Sequence, residues 1–231
     1  MKNTYSYSFE TKRKSIKHKD DVIMSVNLKY PVFENQGRAT LSKEKNIASK
    51  INHFYEDSAK KYMSYLEKTG AKKALKSYNI SGQRCAFVMK STVSYADDNY
   101  ISVFSDISFF DGKKAKTKRF SQLWDINRGI IMPHGEIFKE NIKSGRYIKD
   151  IIQEIATDNL RLKNFSYYDN YKSLISRHFS FSAFYFVPKG IAFYFNAGRI
   201  SSSDETCVFV IPCEKIDGVM KIALGNSSGK E

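Results

Sequence analysis

The chain has 231 residues, of which 42% are hydrophobic and 14% aromatic, so it can bury a substantial core as one large domain or two small ones. This composition excludes a disordered chain, and no apolar segment is long enough to cross a membrane. The formal charge of +14 attracts polyanions in general, including nucleic acid, anionic wall polymers and anionic membrane, without selecting one. A lysine-rich solvated surface explains the same charge without any partner.

The N-terminus predicts two strands. Apolar and polar residues alternate over residues 5–9 and 22–30, which is the period of half-buried strands, and Pro31 is expected to end the second. The basic residues 12–19 between them predict a hairpin connection or an exposed sheet edge, where lysines discourage the addition of another strand.

The next segment predicts a helix followed by a hairpin. Apolar residues recur every three or four positions over residues 42–66, and Gly70 is expected to weaken or end this helix. Residues 85–93 and 100–110 then alternate as two long strands. The acidic pair Asp97-Asp98 between them lacks the spacing of a calcium loop and predicts a turn.

The C-terminal half predicts one more helix and three strands. An apolar stripe that includes Leu160 predicts a helix over residues 144–162, and residues 165–178 have no clean period and are expected to cross the surface. Two apolar strands reverse at Pro188-Lys189-Gly190, and a third runs from Cys207 to Ile211.

The sequence predicts no metal site, cofactor or catalytic motif. The four histidines are scattered, and Trp124 is interpreted as a core residue rather than a sugar platform. Cys85, Cys207 and Cys213 are interpreted as reduced and packed, although one of the last two could bridge to Cys85.

The predicted C-terminal strands carry an aromatic strand, a glycine turn, an aromatic strand ending in asparagine, and a final Ile-Pro-x-Glu strand. The residues are Phe184-Tyr185-Phe186, Gly190, Phe193-Tyr194-Phe195-Asn196 and Ile211-Pro212-x-Glu214. This pattern resembles the C-terminal domain of RsiV-like proteins, a family that includes the extracytoplasmic half of an anti-sigma factor that senses lysozyme. The segment from Trp124-Asp125 to Phe138 looks like the strand-turn-strand unit of that family.

The N-terminal half carries Val26-x-Leu28-x-Tyr30-Pro31 and a helix with Ile47, Ile51 and Asn52. It is similar to a partner domain that is also found beside the polysaccharide deacetylase PdaC. Together the resemblances imply an α+β fold of two lobes, each an antiparallel sheet packed by an amphipathic helix. Residues 1–95 would form the PdaC-associated-like lobe and residues 96–231 the RsiV-like lobe.

Five residues near the C-terminus are candidate ligand contacts. Tyr194, Asn196 and Arg199 provide an aromatic plate, an amide and a fork-shaped cation, which suit a glycan or a carboxylate. Packing at a strand end, with Arg199 in a loop, explains the same residues without a ligand. Asp204 and Glu205 are a small acidic patch that could face a basic protein such as a lysozyme.

The resemblance implies a non-catalytic binding or sensing module of a Gram-positive cell envelope, whose partner is a wall polymer or a protein such as a lysozyme. The first alternative is a wall-glycan hydrolase or deacetylase-associated domain, and the second is a cytosolic polyanion or nucleic-acid binder. The location is expected to be extracytoplasmic if a leader or anchor precedes this sequence, and cytoplasmic if the chain is complete as written.

Overall fold

The computed structural model describes residues 5–35, 42–139, 141–163 and 165–222. They form two sheets and the helices that pack on them. The strands are β1 Tyr5–His18, β2 Asp21–Asn35, β3 Cys85–Ala96, β4 Tyr100–Phe110, β5 Ala115–Asp125, β6 Ile130–Ile131, β7 Phe184–Val187, β8 Gly190–Phe195 and β9 Cys207–Pro212. The helices are α1 Ser42–Tyr65, α2 Ala71–Ser81, α3 His134–Ile137, α4 Ile142–Arg161, α5 Tyr171–His178 and α6 Cys213–Ile216.

The larger sheet contains β1 to β6 in sequence order, and its neighbouring strands are antiparallel at every pair except one. β2 and β3 run parallel, with Met24 opposite Cys85 and Lys29 opposite Lys90. The helical crossover between these strands returns the chain to the same end of the sheet, as a parallel pair requires. The predicted α+β class is confirmed, with this one parallel pair as a difference from the expected antiparallel sheet.

The crossover is an almost continuous helix. A π-helical turn over Leu66–Gly70 joins α1 to α2, so Gly70 does not end the helix. A Cβ atom at Gly70 would lie 3.0 Å from Leu66 Cδ2 and 3.3 Å from Met24 Cε. Glycine therefore lets the helix approach β2 closely, and the predicted apolar stripe of α1, including Ile51 and Tyr55, is buried against the sheet.

The smaller sheet has the antiparallel order β7-β8-β9, as predicted. α4 confirms the second predicted helix, and Asn141 begins it by accepting a hydrogen bond at Oδ1 from Ser144 N at 2.8 Å. Its inner residues Ile148 and Ile152 are buried, whereas Leu160 is 37% exposed, so the prediction that Leu160 belongs to the buried stripe is wrong. Helix α5 lies in the segment for which no helix was predicted.

Strand β2 continues past Pro31 to Asn35, so the prediction that Pro31 ends it is wrong. The backbone N–H and C=O of Phe33 bond the side chain of Asn52, on the side away from β1. Pro31 lies two residues earlier and has the same orientation, and pairing with β3 ends at Lys29. The missing proline N–H therefore costs no ladder hydrogen bond.

The two sheets are joined by direct hydrogen bonds. Phe186 N donates to Ser102 Oγ at 3.0 Å, and Ser121 Oγ donates to the carbonyl oxygen of Phe184. The expected boundary between residues 95 and 96 falls inside β3, one residue before its end, and β3 pairs with β4 along most of its length. The division into two lobes there stays a prediction. Within the described ranges, no helix is long and apolar enough to cross a membrane.

Candidate binding surface

One face of the larger sheet is covered by α1 and α2, and part of its other face is exposed. Side chains alternate between the faces of a strand. Val26 and Leu28 of β2 and Met89 of β3 are buried in the core that includes α1 residues. The residues between them point away from the helices, and there Lys90 is exposed.

We call this uncovered region the open face and define it by three rows that follow the strand register from β1 to β5. The rows are Ser15, Ser25, Ala86, Phe110 and Ala115; Arg13, Asn27, Val88, Ser108 and Thr117; and Thr11, Lys29, Lys90, Asp106 and Arg119. Beyond the third row, the sheet is met by β7 of the smaller sheet.

The open face has four cations, Arg13, Lys29, Lys90 and Arg119, and one carboxylate, Asp106. Asp106 forms an ion pair with Arg119. Among the described residues, Arg13, Lys29 and Lys90 form no ion pair. The ammonium group of Lys29 lies 4.5 Å from the ring centroid of Phe9, a cation–π contact. Three positive charges on this face are thus not neutralised by a carboxylate.

The lysines on the helix side of β1 differ from those on the open face. Lys12 Nζ lies 3.4 Å from Glu56 Oε1, and Lys14 pairs with Glu67. The helices therefore supply carboxylates for the basic residues that face them. No equivalent acidic element, in the described part of the chain, faces Arg13, Lys29 and Lys90.

Arg119 links the open face to the smaller sheet. Its Nε and Nη2 atoms donate to the two carboxylate oxygens of Asp106 at 2.8 and 2.7 Å, and its Nη1 donates to Tyr185 Oη at 3.2 Å. The guanidinium carbon lies 4.1 Å from the ring centroid of Phe104. This fork-shaped arrangement is one that arginine forms and lysine cannot.

The backbone of Arg119 explains why this ion pair is so well formed. Asn196 Oδ1 accepts a hydrogen bond from Arg119 N at 2.6 Å, and Asn196 Nδ2 donates to Arg119 O at 3.4 Å. These backbone groups therefore point away from β4, which makes Asp106 and Arg119 a non-hydrogen-bonded pair of the antiparallel ladder. Side chains in such pairs lie closer together than in hydrogen-bonded pairs.

Burial and charge act in opposite directions on Arg119. Burial lowers the pKa of its guanidinium, but the hydrogen bonds and negative charge of Asp106 outweigh burial and raise that pKa. Burial raises the pKa of the nearby Tyr185 and Tyr194 hydroxyls, and Arg119 partly offsets both shifts. The cluster therefore holds a permanent cation beside neutral phenols.

The predicted ligand residues are divided between the interior and the surface. Tyr194 is 7% exposed, and its hydroxyl lies 3.3 Å from Ser121 Oγ. The side chain of Asn196 bonds the backbone N–H and C=O of Arg119. The exposed residues are Arg199, Asp204 and Glu205, and their role as ligand contacts stays a prediction.

Arg13 belongs to the basic run 12–19 noted in the sequence, but neither it nor Lys29 or Lys90 was predicted to be a ligand contact. For Lys29 the signal was nevertheless present, because this lysine follows a run in which polar and apolar residues alternate, whereas Arg13 lies between Lys12 and Lys14 and has no such pattern around it. What could not be read from the sequence is the register that places Lys29 opposite Lys90 across the parallel pair.

No group of three or more histidine, cysteine or acidic residues in the described segments could hold a metal ion. All three cysteines are free thiols, as interpreted from the sequence, and burial raises the pKa of Cys85, Cys207 and Cys213. Trp124 is 3% exposed, and its Nε1 donates to Tyr55 Oη at 3.1 Å, which confirms its core position.

Comparisons with known proteins agree with this architecture. Residues 16–113 match the family model described as "Deacetylase PdaC", which covers less than half of the chain. The predicted likeness of the N-terminal half to PdaC-type domains is thereby confirmed. No curated protein matches the chain at a significant level.

Two solved structures resemble nearly the whole chain. One is a DUF3298 family member from Bacteroides fragilis, with TM-score 0.61, 16% identity and 96% of both chains covered. The other is a DUF3298 family protein from Pseudomonas aeruginosa, with TM-score 0.59, 11% identity, and 95% of this chain and 94% of that chain covered. The chain has the fold of these two proteins. The finer resemblance to RsiV-like proteins stays a prediction.

Proposed function

We propose that the chain is a non-catalytic binding module of the bacterial cell envelope, located outside the cytoplasm, and that its main partner is an anionic wall polymer. The observation that carries this proposal is the open face, where Arg13, Lys29 and Lys90 are not neutralised by carboxylates in the described part of the chain. Charge complementarity favours a negatively charged partner there.

The chemistry of the open face favours binding over hydrolysis. A glycan hydrolase of the usual kind needs two carboxyl groups about 5–10 Å apart. The three rows contain one carboxylate, Asp106, and both of its oxygens accept hydrogen bonds from Arg119. The adjacent second row carries two hydroxyls rather than a second carboxylate, those of Ser108 and Thr117, which lie 2.7 Å apart.

A protein partner such as a lysozyme is the second candidate, and the exposed pair Asp204 and Glu205 favours it. Lysozymes are commonly basic, so they would be repelled by the open face and attracted by this loop. The two candidates therefore use different surfaces of the molecule.

Co-sedimentation with purified Gram-positive wall sacculi tests the proposal. We expect the protein to be retained by intact sacculi, and to be retained less after the anionic polymers have been extracted and as salt is added. An immobilised lysozyme should retain little protein. Strong retention by lysozyme would instead favour the second candidate, with the loop that contains Asp204 and Glu205 as the contact. Retention by cytosolic nucleic acid but not by sacculi would overturn the proposal, as would release of acetate or reducing ends from the wall.

A further inference from the structure

We propose that the open face binds a polyol- or sugar-phosphate chain, with the Lys29–Lys90 pair and Arg13 each engaging a phosphodiester. This inference rests on the proposed function and names the chemistry of its ligand. Lys29 and Lys90 occupy directly opposed positions on adjacent parallel strands, and Arg13 lies one row away on β1.

The spacing of these cations suits a repeating anion. Adjacent strands lie about 4.8 Å apart, and successive residues on one face of a strand are separated by about 6.7 Å. Lys29 and Lys90 can therefore hold one phosphate between them, while Arg13 reaches a phosphate of the next repeat. Arg119 does not take part directly, since its donors are used by Asp106 and Tyr185.

The residues around these cations select a hydroxyl-rich chain. Thr11, Asn27 and Thr117 belong to the same two rows as the cations. Asn27 Oδ1, in the second row, is buried and has no hydrogen-bond partner among the described residues, so it is an unsatisfied acceptor beside the cations.

Nucleic acid fits the same rows less well. Proteins that bind single strands combine cations with aromatic rings on which bases stack. The second and third rows contain no aromatic residue, and the Phe9 ring beside them contacts the Lys29 ammonium. The cations of these rows also lie on the face of a six-stranded sheet, not on a helix or a two-stranded ribbon of the kind that enters a duplex groove.

Binding of two defined probes tests the inference: poly(glycerol phosphate), and oligothymidylate with the same number of phosphates. We compare the wild-type protein with Lys29→Gln/Lys90→Gln and with a control, Lys72→Gln/Lys73→Gln, which removes the same charge from exposed positions on α2. Thermal unfolding checks that both variants are folded.

We expect the wild-type protein to bind poly(glycerol phosphate) more tightly than oligothymidylate. The Lys29→Gln/Lys90→Gln variant should bind the polymer about tenfold more weakly at low salt, and the slope of log K against log salt should decrease by about two. The control variant should keep most of the affinity, because its charges lie on the helix side of the sheet.

Three results would overturn the inference: an equal loss in the control variant, tighter binding of oligothymidylate, or unchanged polymer binding by the Lys29→Gln/Lys90→Gln variant. If the wild-type protein and this variant sediment equally with intact sacculi, the open face is not the binding site, although the protein still binds the wall as proposed. If neither sediments, the proposed function fails.

Discussion

Two asparagine side chains bond strand backbone at positions that the neighbouring strand does not reach. β3 pairs with β2 only as far as Lys29, and β6 pairs with β5 only at Trp124 and Asp125. Asn52 bonds both the N–H and the C=O of Phe33, at 2.8 and 2.9 Å, and Asn196 bonds the same two groups of Arg119. A side-chain amide has a donor and an acceptor side by side, so it can stand in for the backbone of one residue of a missing strand. Each asparagine thereby anchors a separate element to the larger sheet.

Replacing Asn196 with alanine should lower the free energy of unfolding by about 1–3 kcal/mol, because the N–H and C=O of Arg119 lose their partners. Urea unfolding measures the change. As a control, Asn127→Ala at an exposed position, where the lost side-chain bond is to Asn99, should change stability by about 0.5 kcal/mol or less. Equal effects in the two variants would contradict the anchoring role of Asn196.

Replacing Arg119 with lysine should cost about 1–3 kcal/mol, since an ammonium group cannot reproduce the hydrogen bonds to both oxygens of Asp106 and to Tyr185. Arg128→Lys is the matched control. Arg128 also bonds two carboxylates, Asp125 at 2.7 Å and Glu136 at 2.6 Å, but its side chain is 45% exposed against 12% for Arg119. Surface ion pairs contribute little, so the control should lose about 0.5 kcal/mol or less. A larger loss in Arg128→Lys would argue against the linking role of Arg119.

At the scale of elements, the sequence predicted what local patterns encode. The hairpin of β3 and β4, helix α4, and the strands β7 to β9 follow from alternation, helical spacing and turn residues. Helix α5 was not predicted because its segment has no clean apolar period. In the structure one residue of that helix, Ile175, is buried. The end expected at Pro31 was wrong because the proline faces an edge without a ladder, which only the sheet register reveals.

The turn between β7 and β8 is expected to be the most sensitive to a single added methyl group. A Cβ atom at Gly190 would lie 2.1 Å from the carbonyl oxygen of Ile211 and 2.9 Å from its carbonyl carbon, and backbone atoms cannot move aside as a flexible side chain can. We expect Gly190→Ala to cost about 3 kcal/mol or more in urea unfolding, or to prevent folding.

Gly218→Ala is the control for this turn, because a Cβ atom there meets nothing within 4 Å. It should fold and unfold like the wild-type protein. If Gly190→Ala were equally stable, the close packing of β8 against β9 at Ile211 would be wrong.

At the scale of the whole molecule, the candidate surface depends on contacts that no local pattern encodes. Arg119 meets Tyr185 and Asn196, which are 66 and 77 residues away in sequence. The sequence offered Tyr194, Asn196 and Arg199 as ligand contacts, and that role stays a prediction, whereas in the structure Asn196 bonds the backbone of Arg119. The sequence shows which residue types are present, but their hydrogen-bond partners are known only once the packing of one sheet on the other is known.

The fold should lose stability at alkaline pH. Burial raises the pKa of Tyr55, and the hydrogen bond from Trp124 only partly offsets this, while burial also raises the pKa of Tyr185 and Tyr194. Below pH of about 10 these tyrosines are neutral in both states and the effect is absent. Above it the unfolded chain releases protons that the folded chain keeps, so stability falls with rising pH, by up to about 1.4 kcal/mol per pH unit for each tyrosine.

The urea midpoint measured from pH 8 to pH 11 checks this expectation. The Tyr55→Phe variant, although less stable at pH 8, should show a shallower decline above pH 10 than the wild-type protein. A midpoint that stays constant over this range would show that the buried tyrosines ionise as easily in the fold as in the unfolded chain.

The parallel pairing of β2 with β3 also has a consequence for synthesis on the ribosome. The β1–β2 hairpin is translated well before Cys85, the residue that pairs with Met24, so the nascent chain presents one side of β2 without its neighbour. Unpaired strand edges promote association between incomplete chains. During that interval the basic residues of β1 and β2 would keep nascent hairpins apart by mutual repulsion, a protective role that ends once the crossover helix has docked.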